Sequence, residues 1–144
     1  MKTILWCCSP IFLTIKKPDF EELQLSHETA MNYLRRNSSG KLANVWNKLT
    51  SAEIEQAQFV IASDTVVVLD EQVIEKPKNR QHAFEMLMNL SGRTHQVITS
   101  YSIKSHKVCQ HNRLVSSLVS FRALKTDEVD AYLNLTEAYD KAGA

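Results

Sequence analysis

The stretch FVIASDTVVVLDEQVIEKPKNRQHAFEMLMNLSGRTHQV, residues 59–97, carries the pattern that decides the fold. Apolar runs at residues 59–62 and 66–69 predict two strands, and Asp64 and Thr65 stand between them. A buried strand whose end carries a carboxylate and a hydroxyl is a common ligand position in α/β sheets. The pattern therefore predicts a site centred on Asp64.

A Lys-Pro pair and a capped helix complete the stretch. Lys76 precedes Pro77, which biases the backbone of the lysine towards an extended conformation and fixes where its side chain points. Asn79 is a suitable N-cap for the apolar helical pattern that follows, and Gly92 stands where a glycine commonly ends a helix. Together with Asp64, this layout is typical of a site that handles phosphate.

Shorter patterns predict the other elements. Apolar runs separated by Ser9-Pro10 predict strands at residues 3–8 and 11–15. Helical spacing predicts a helix capped by Ser26 and a further helical stretch over residues 41–49. The Ser38-Ser39-Gly40 sequence between them fits either a break or a weak turn inside one helix. The remaining predicted elements are a turn at residues 70–72, strands at 73–74, 94–104 and 107–124, and a last helix capped by Thr126.

Composition restricts the class of protein. A chain of 144 residues is the size of one domain, and 17 basic against 16 acidic residues give no overall field for nucleic acid or a membrane. The three cysteines show no paired spacing, which favours a reducing compartment. The apolar N-terminal run is interrupted at Ser9-Pro10 and lacks the cleavage site of a signal peptide. We therefore expect a soluble cytoplasmic α/β protein with a mixed sheet and flanking helices.

Each candidate residue also has a structural interpretation. Asp64 suits a general base or a ligand to a divalent cation, but it could also be an aspartate that caps a strand end. Lys76 suits a phosphate contact or a solvated turn. Asp19, Glu21 and Glu22 could bind a metal ion, although three carboxylates in a loop are more often simply solvated.

Three segments, SDTVVVLDEQVIEKP, AFEMLMNLSGRTHQVITSYSI and EAYDKAGA, together resemble the Maf family of nucleoside triphosphate pyrophosphatases. The Asp-Thr, Lys-Pro, Leu-Ser-Gly and Lys-Ala-Gly-Ala signatures of that family occur in order, and the branch that they resemble acts on dTTP and UTP. The resemblance implies an elongated α/β fold with a mixed sheet and a cleft, of the inosine triphosphate pyrophosphatase-like architecture, commonly as a homodimer. It also implies hydrolysis to a nucleoside monophosphate and pyrophosphate with a divalent cation such as Mg²⁺ or Mn²⁺.

The same resemblance assigns roles to individual residues. Asp64 matches the catalytic acid that activates water, and Glu22 resembles an acidic residue near the metal, so both are expected to hold the cation. Lys41 and Lys76 resemble the two lysines that contact the triphosphate. The expected substrate-binding residues are Lys41, Lys76, Thr65 and Ser9.

Two departures from the family pattern favour an alternative. The family's opening Leu-Ala-Ser-x-Ser-Pro-Arg-Arg motif corresponds here to LWCCSP at residues 5–10, without the two arginines. Each lost arginine would remove charge-assisted hydrogen bonds to phosphate, worth roughly 1.5 to 3 kcal/mol. The resemblance also implies that residues 1–144 form a single domain that is incomplete at its C-terminus. The alternative is a degenerate, inactive family member that at most binds nucleotide.

Overall fold

The computed structural model describes residues 13–23, 25, 28–74, 76–135 and 143. Its four strands form one sheet in the order β2-β1-β3-β4, with helices on both faces. The elements, in chain order, are α1 (Ala30–Lys48), α2 (Ser51–Gln56), β1 (Val60–Leu69), β2 (Gln72–Ile74), α3 (Arg80–Leu90), β3 (Thr94–Lys104), β4 (His111–Ser120) and α4 (Thr126–Leu133). The predicted combination of a sheet with flanking helices is confirmed, and every strand pairing among the described residues is antiparallel.

The central strand β1 is continuous where the sequence predicts two strands. Asp64 pairs with Ser100 and Thr65 pairs with Thr99 in the ladder between β1 and β3. The predicted strand end at Asp64 is therefore wrong. The pairing of β1 with β3 continues along the strand before and after these two residues. It outweighs the low strand preference of aspartate, because strand preference depends strongly on context.

Helix α1 covers one face of the sheet. Thr29 caps it by accepting a hydrogen bond from the Asn32 N–H at 3.3 Å, so the helix begins after the predicted cap, Ser26, which lies outside the described residues. The core beneath α1 consists of Tyr33, Leu34, Val66, Val68 and Ile98.

Of the two alternatives left open for Ser38-Ser39-Gly40, the structure has the turn within a single helix, and tertiary contacts explain its weak helix formers. Ser38 Oγ lies 2.8 Å from Ser100 Oγ and accepts a hydrogen bond from Ser102 Oγ at 3.0 Å, both on β3. A Cβ atom on Gly40 would lie 2.2 Å from the ring of Phe20. Residues that oppose helix formation locally are therefore the ones that dock the helix.

Helices α3 and α4 cover the opposite face. Asn79 caps α3 by accepting from the His82 N–H at 2.8 Å, and Gly92 follows the helix with φ of +69°, so both predicted ends are confirmed. The packing there joins Leu90 to Val67 and Leu69 of β1, and joins Ala83 and Leu87 of α3 to Val129 and Leu133 of α4.

Two predicted boundaries are wrong for local reasons. The last helix begins with Thr126 but is capped by Lys125, whose N–H donates to Glu128 Oε2 at 2.9 Å. Strand β4 covers His111–Ser120 and is shorter than the predicted 107–124; it starts later because the Ser105 hydroxyl accepts from the N–H groups of Lys107 and Val108 and holds a turn there.

Three further predictions concern the first half of the chain and the β1–β2 turn. The predicted turn at residues 70–72 is confirmed for Asp70 and Glu71, which both have positive φ and join β1 to β2, whereas Gln72 is the first residue of β2. Helix α2 was not predicted, although Thr50 and Glu53 form its capping box. Residues 13–15, the described part of the predicted strand 11–15, are not in a strand, and the predicted strand at 3–8 lies outside the described residues. In the described part of the chain, no helix combines the length and apolar character that crossing a bilayer requires.

Candidate functional site

Three charged side chains meet on the face of the sheet that α1 covers. Lys41 Nζ donates to Asp64 Oδ1 at 3.0 Å and to Glu22 Oε1 at 2.8 Å. The side chains of Lys41 and Asp64 are only 13% and 14% exposed, whereas that of Glu22 is 43% exposed. The cluster therefore runs from the partly buried centre of the sheet to solvent.

Regular periodicity places the lysine over the aspartate. Lys41 follows Leu34 by two helical turns, so both side chains lie on the face of α1 that meets the sheet. Asp64 precedes Val66 by two residues in β1, so it shares the face on which Val66 packs beneath α1. The apolar core thus fixes the register that brings the charged pair together.

Side-chain contacts to α1 bring in Glu22. Residues 13–23 form no helix or strand, but Asp19 and Asn44 exchange two hydrogen bonds, at 3.0 and 2.8 Å, through the Asp19 backbone. Arg36 of α1 donates to the Leu23 carbonyl at 2.5 Å. These contacts hold the segment along the helix on both sides of Glu22.

The lysine stays charged in this cluster. Burial alone would lower the pKa of Lys41, but hydrogen bonds to the carboxylates of Glu22 and Asp64 outweigh it and raise the pKa above its ordinary value. Two carboxylates around one ammonium leave an excess of negative charge. The cluster can therefore attract a cation as well as supply one positive group to an anion.

Sequence reasoning missed one member of this site, Asn37. Its Nδ2 donates to Asp64 Oδ2 at 3.0 Å, and the residue is completely buried. The available signal was the run of four weak helix formers at residues 37–40 inside a helical pattern, since such a run in a stable helix requires tertiary contacts.

Thr65 contributes its backbone and not its hydroxyl to the cluster. The Thr65 N–H donates to Asp64 Oδ1 at 3.2 Å, while its hydroxyl lies 2.9 Å from that of Thr99. Because side chains alternate along a strand, the Thr65 side chain faces away from α1. A substrate contact by this hydroxyl would therefore occur on the other face of the sheet from Lys41.

The two remaining predicted substrate contacts lie elsewhere or outside the described residues. Lys76 is exposed in the connection between β2 and α3. The last pair of β2 joins Ile74 to Val67, so the connection leaves the sheet beside the half of β1 that leads back to Asp64. Ser9 lies outside the described residues. The cluster that the structure brings together therefore consists of Asp64, Lys41, Glu22 and Asn37.

A comparison with known protein families identifies the group to which this arrangement belongs. A family model described as Maf, Maf-like protein, matches residues 4–144. The chain belongs to the Maf family. The resemblance inferred from the Asp-Thr, Lys-Pro and Leu-Ser-Gly signatures is thus confirmed.

Curated relatives of this Maf-family chain have one printed name, dTTP/UTP pyrophosphatase. The relative from Idiomarina loihiensis is 39% identical over 130 residues, covering 87% of this chain and 63% of its own length. That from Methylococcus capsulatus is 41% identical over 126 residues, covering 88% and 59%. That from Clostridioides difficile is 35% identical over 133 residues, covering 90% and 64%. The Maf-family chain therefore spans less than two thirds of the length of these relatives.

Proposed function

We propose that this chain is a nucleoside triphosphate pyrophosphatase that hydrolyses dTTP, UTP or modified pyrimidine nucleoside triphosphates to the monophosphate and pyrophosphate. The observation that carries the proposal is the contact of one protonated lysine, Lys41, with both Asp64 and Glu22. The names of the relatives supply the substrate class. A cluster of this composition provides an ammonium group that can contact phosphate. It also provides carboxylates that can contact water and a metal ion.

The proposed reaction cleaves the anhydride bond between the α- and β-phosphates. Asp64 takes a proton from the attacking water, the new P–O bond forms, and pyrophosphate leaves with the bridging oxygen. Lys41 exchanges its carboxylate contacts for phosphate oxygens and stabilises the charge that develops on them. Lys76, on its exposed connection, adds a second positive group.

The residues fit a divalent cation that is shared with the substrate. Mg²⁺ commonly takes one or two carboxylates from the protein and completes its shell with water and substrate phosphates. Among the described residues, no group of three or more His, Cys, Asp or Glu side chains could hold a metal ion alone. Glu22 and Asp64 would hold the ion, which when bound neutralises phosphate charge and polarises the P–O bonds.

The alternative is a family member that binds nucleotide without turning it over. The absence of both arginines from the opening motif favours it, because each would have held phosphate oxygens. Thr65 and Ser9 remain proposed substrate contacts in either case. A cytoplasmic homodimer is the cellular form that we propose for both.

Pyrophosphate release decides between the two. Wild-type protein, Asp64→Asn and Asp70→Asn would each be assayed with Mg²⁺ and dTTP, UTP or dATP. Asp70 is the matched control, since it lies in the β1–β2 turn and pairs with Arg93. Loss of a general base lowers turnover by about a hundredfold or more, whereas the control should stay within about twofold of wild type.

Each result has one meaning. Release from dTTP and UTP that is lost only in Asp64→Asn supports the proposal. Undiminished release by Asp64→Asn contradicts the role of this residue. A folded wild-type protein that melts at a higher temperature with dTTP but releases no pyrophosphate supports the inactive alternative.

A further inference from the structure

The side chain of Asn37 lies in the middle of α1 and has no exposed surface. Its Nδ2 donates to Asp64 Oδ2, while its Oδ1 is buried without a hydrogen-bond partner among the described residues. Asparagine is a weak helix former, and a buried amide oxygen without a partner opposes folding. Both effects are unfavourable for stability, so the contact with Asp64 is what the residue provides.

The carboxylate determines which way the Asn37 amide points. Turning the amide over would place Oδ1 against Asp64 Oδ2, so that two acceptors would face each other. With the amide N–H facing Asp64, the two carboxylate oxygens have different partners. Oδ1 accepts from Lys41 Nζ and the Thr65 N–H, and Oδ2 accepts from Asn37.

We infer that Asn37 is a positioning residue for Asp64, an inference that rests on the proposed function. A carboxylate oxygen has about two acceptor sites, so Oδ2 keeps one lone pair after the contact with Asn37. Asn37 fixes the rotation of the carboxylate and so directs this lone pair towards the attacking water. Because the amide is buried, it affects the chemical step through Asp64 and not through contact with the nucleotide.

The neighbouring Ser38 provides a matched control. It is also completely buried in α1, but its hydroxyl bonds to Ser100 and Ser102 of β3. These bonds join the helix to the sheet and do not involve Asp64. Ser38 therefore reports the purely structural effect of losing a buried polar contact beneath the same helix turn.

The test measures kcat, KM and melting temperature for Asn37→Leu and Ser38→Ala with dTTP and Mg²⁺. Leucine keeps the branched outline of asparagine, and removing the unpartnered oxygen offsets the lost hydrogen bond to Asp64, so Asn37→Leu should melt close to the wild-type temperature. Its kcat should fall roughly ten- to a hundredfold with KM within about twofold. Ser38→Ala should show the opposite result, a lower melting temperature with wild-type kcat.

The inference is overturned if Asn37→Leu keeps wild-type kcat, or if both variants lose melting temperature and kcat in parallel. Should the leucine variant fail to fold, kcat, KM and melting temperature are measured for the smaller variant Asn37→Ala, and the same criteria apply. If folded wild-type protein releases no pyrophosphate, the proposed function fails, and a crystal structure of the Asn37 variant decides the inference. A rotated Asp64 carboxylate supports positioning, and an unchanged one overturns it.

Discussion

At the scale of single residues, Lys41 explains how two carboxylates lie near each other beside an apolar core. Without its ammonium, Glu22 and Asp64 would repel each other, and Asp64 would lose a charged partner in a largely buried position. A phosphate group competes for the same ammonium. In the reaction that we propose, binding of a triphosphate would free both carboxylates, which would then hold the divalent cation.

The buried side chain of His95 should make the stability of the protein depend on pH. It is buried, its Nδ1 has no partner among the described residues, and burial lowers its pKa below the ordinary value of 6.5. As the pH falls below 6.5, the unfolded chain takes up a proton before the folded chain does, so stability is lost. The slope cannot exceed about 1.4 kcal/mol per pH unit, the limit for one proton. Urea unfolding between pH 8 and pH 5 measures it.

Two phenylalanine variants isolate this effect. His95→Phe keeps an aromatic ring beside Phe121, which contacts His95 edge-on at 4.9 Å between ring centroids. It should flatten the pH dependence of the unfolding free energy below pH 6.5. His111→Phe changes an exposed histidine of β4 and should leave the slope as in wild type. Equal slopes in all three proteins would show that His95 is not the group responsible.

Individual residues differ in how far the sequence alone could predict them. Asp64 was predicted from the strand pattern, and Lys41 and Glu22 from the family resemblance; in the structure Lys41 contacts both carboxylates. Asn37 could not be found in this way, because its role depends on which residue of β1 lies beneath its turn of α1. The face on which Thr65 points depended on β1 being continuous, which the sequence pattern did not predict.

At the scale of elements, helix α1 shows how tertiary contacts override local preference. Glycine in a helix interior is less favourable than alanine by roughly 0.5 to 1 kcal/mol. Gly40 is nevertheless placed where the Phe20 ring lies directly against the helix backbone. This contact between Phe20 and Gly40 also holds the segment that carries Glu22 against α1.

Gly40→Ala therefore should not give the stability that its helix preference predicts. The added Cβ would lie 2.2 Å from Phe20 Cε2, so the ring must move and its packing is lost. We expect the free energy of unfolding to fall by about 1 kcal/mol, because lost burial of a partly buried ring exceeds the helix gain. Urea unfolding gives the value.

A double-mutant cycle separates the two contributions. In a Phe20→Ala background there is no ring to displace, so Gly40→Ala should stabilise the protein by about 1 kcal/mol. Stabilisation by the same amount in both backgrounds would contradict the close contact between Phe20 and Gly40.

The sequence predicts some helices and strands more accurately than others, for physical reasons. The ends of α3 were predicted correctly, since Asn79 and Gly92 act through local backbone geometry. Strand β1 was divided in two, because Asp64 and Thr65 interrupt the apolar run while their ladder bonds to β3 come from distant residues. Helix α2 is only six residues long and buries no side chain, so no apolar pattern marks it.

At the scale of the whole molecule, the sheet ends in an exposed strand. In the order β2-β1-β3-β4, the outer edge of β4 has no partner strand among the described residues. Val115 and Leu118 of β4 are exposed apolar side chains. An edge of this kind can pair with an edge of another copy.

We expect the isolated chain to associate through β4 as its concentration rises. Val115→Lys should weaken association, because a charged side chain on an edge strand opposes strand pairing. The matched control is Val108→Lys, the same substitution at an exposed position in the connection between β3 and β4. Sedimentation velocity over a range of concentrations measures the effect. Equal association of both variants would exclude β4 as the interface.

The proposed function requires the nucleotide to bind at the cluster of Asp64, Lys41 and Glu22. The most direct test is a crystal structure of Asp64→Asn with dTTP and Mg²⁺, in which hydrolysis is prevented. We predict triphosphate oxygens within hydrogen-bond distance of Lys41 Nζ. Nucleotide bound elsewhere, such as in the groove lined by Glu28, Asp70 and Gln96, would contradict the assignment of the site.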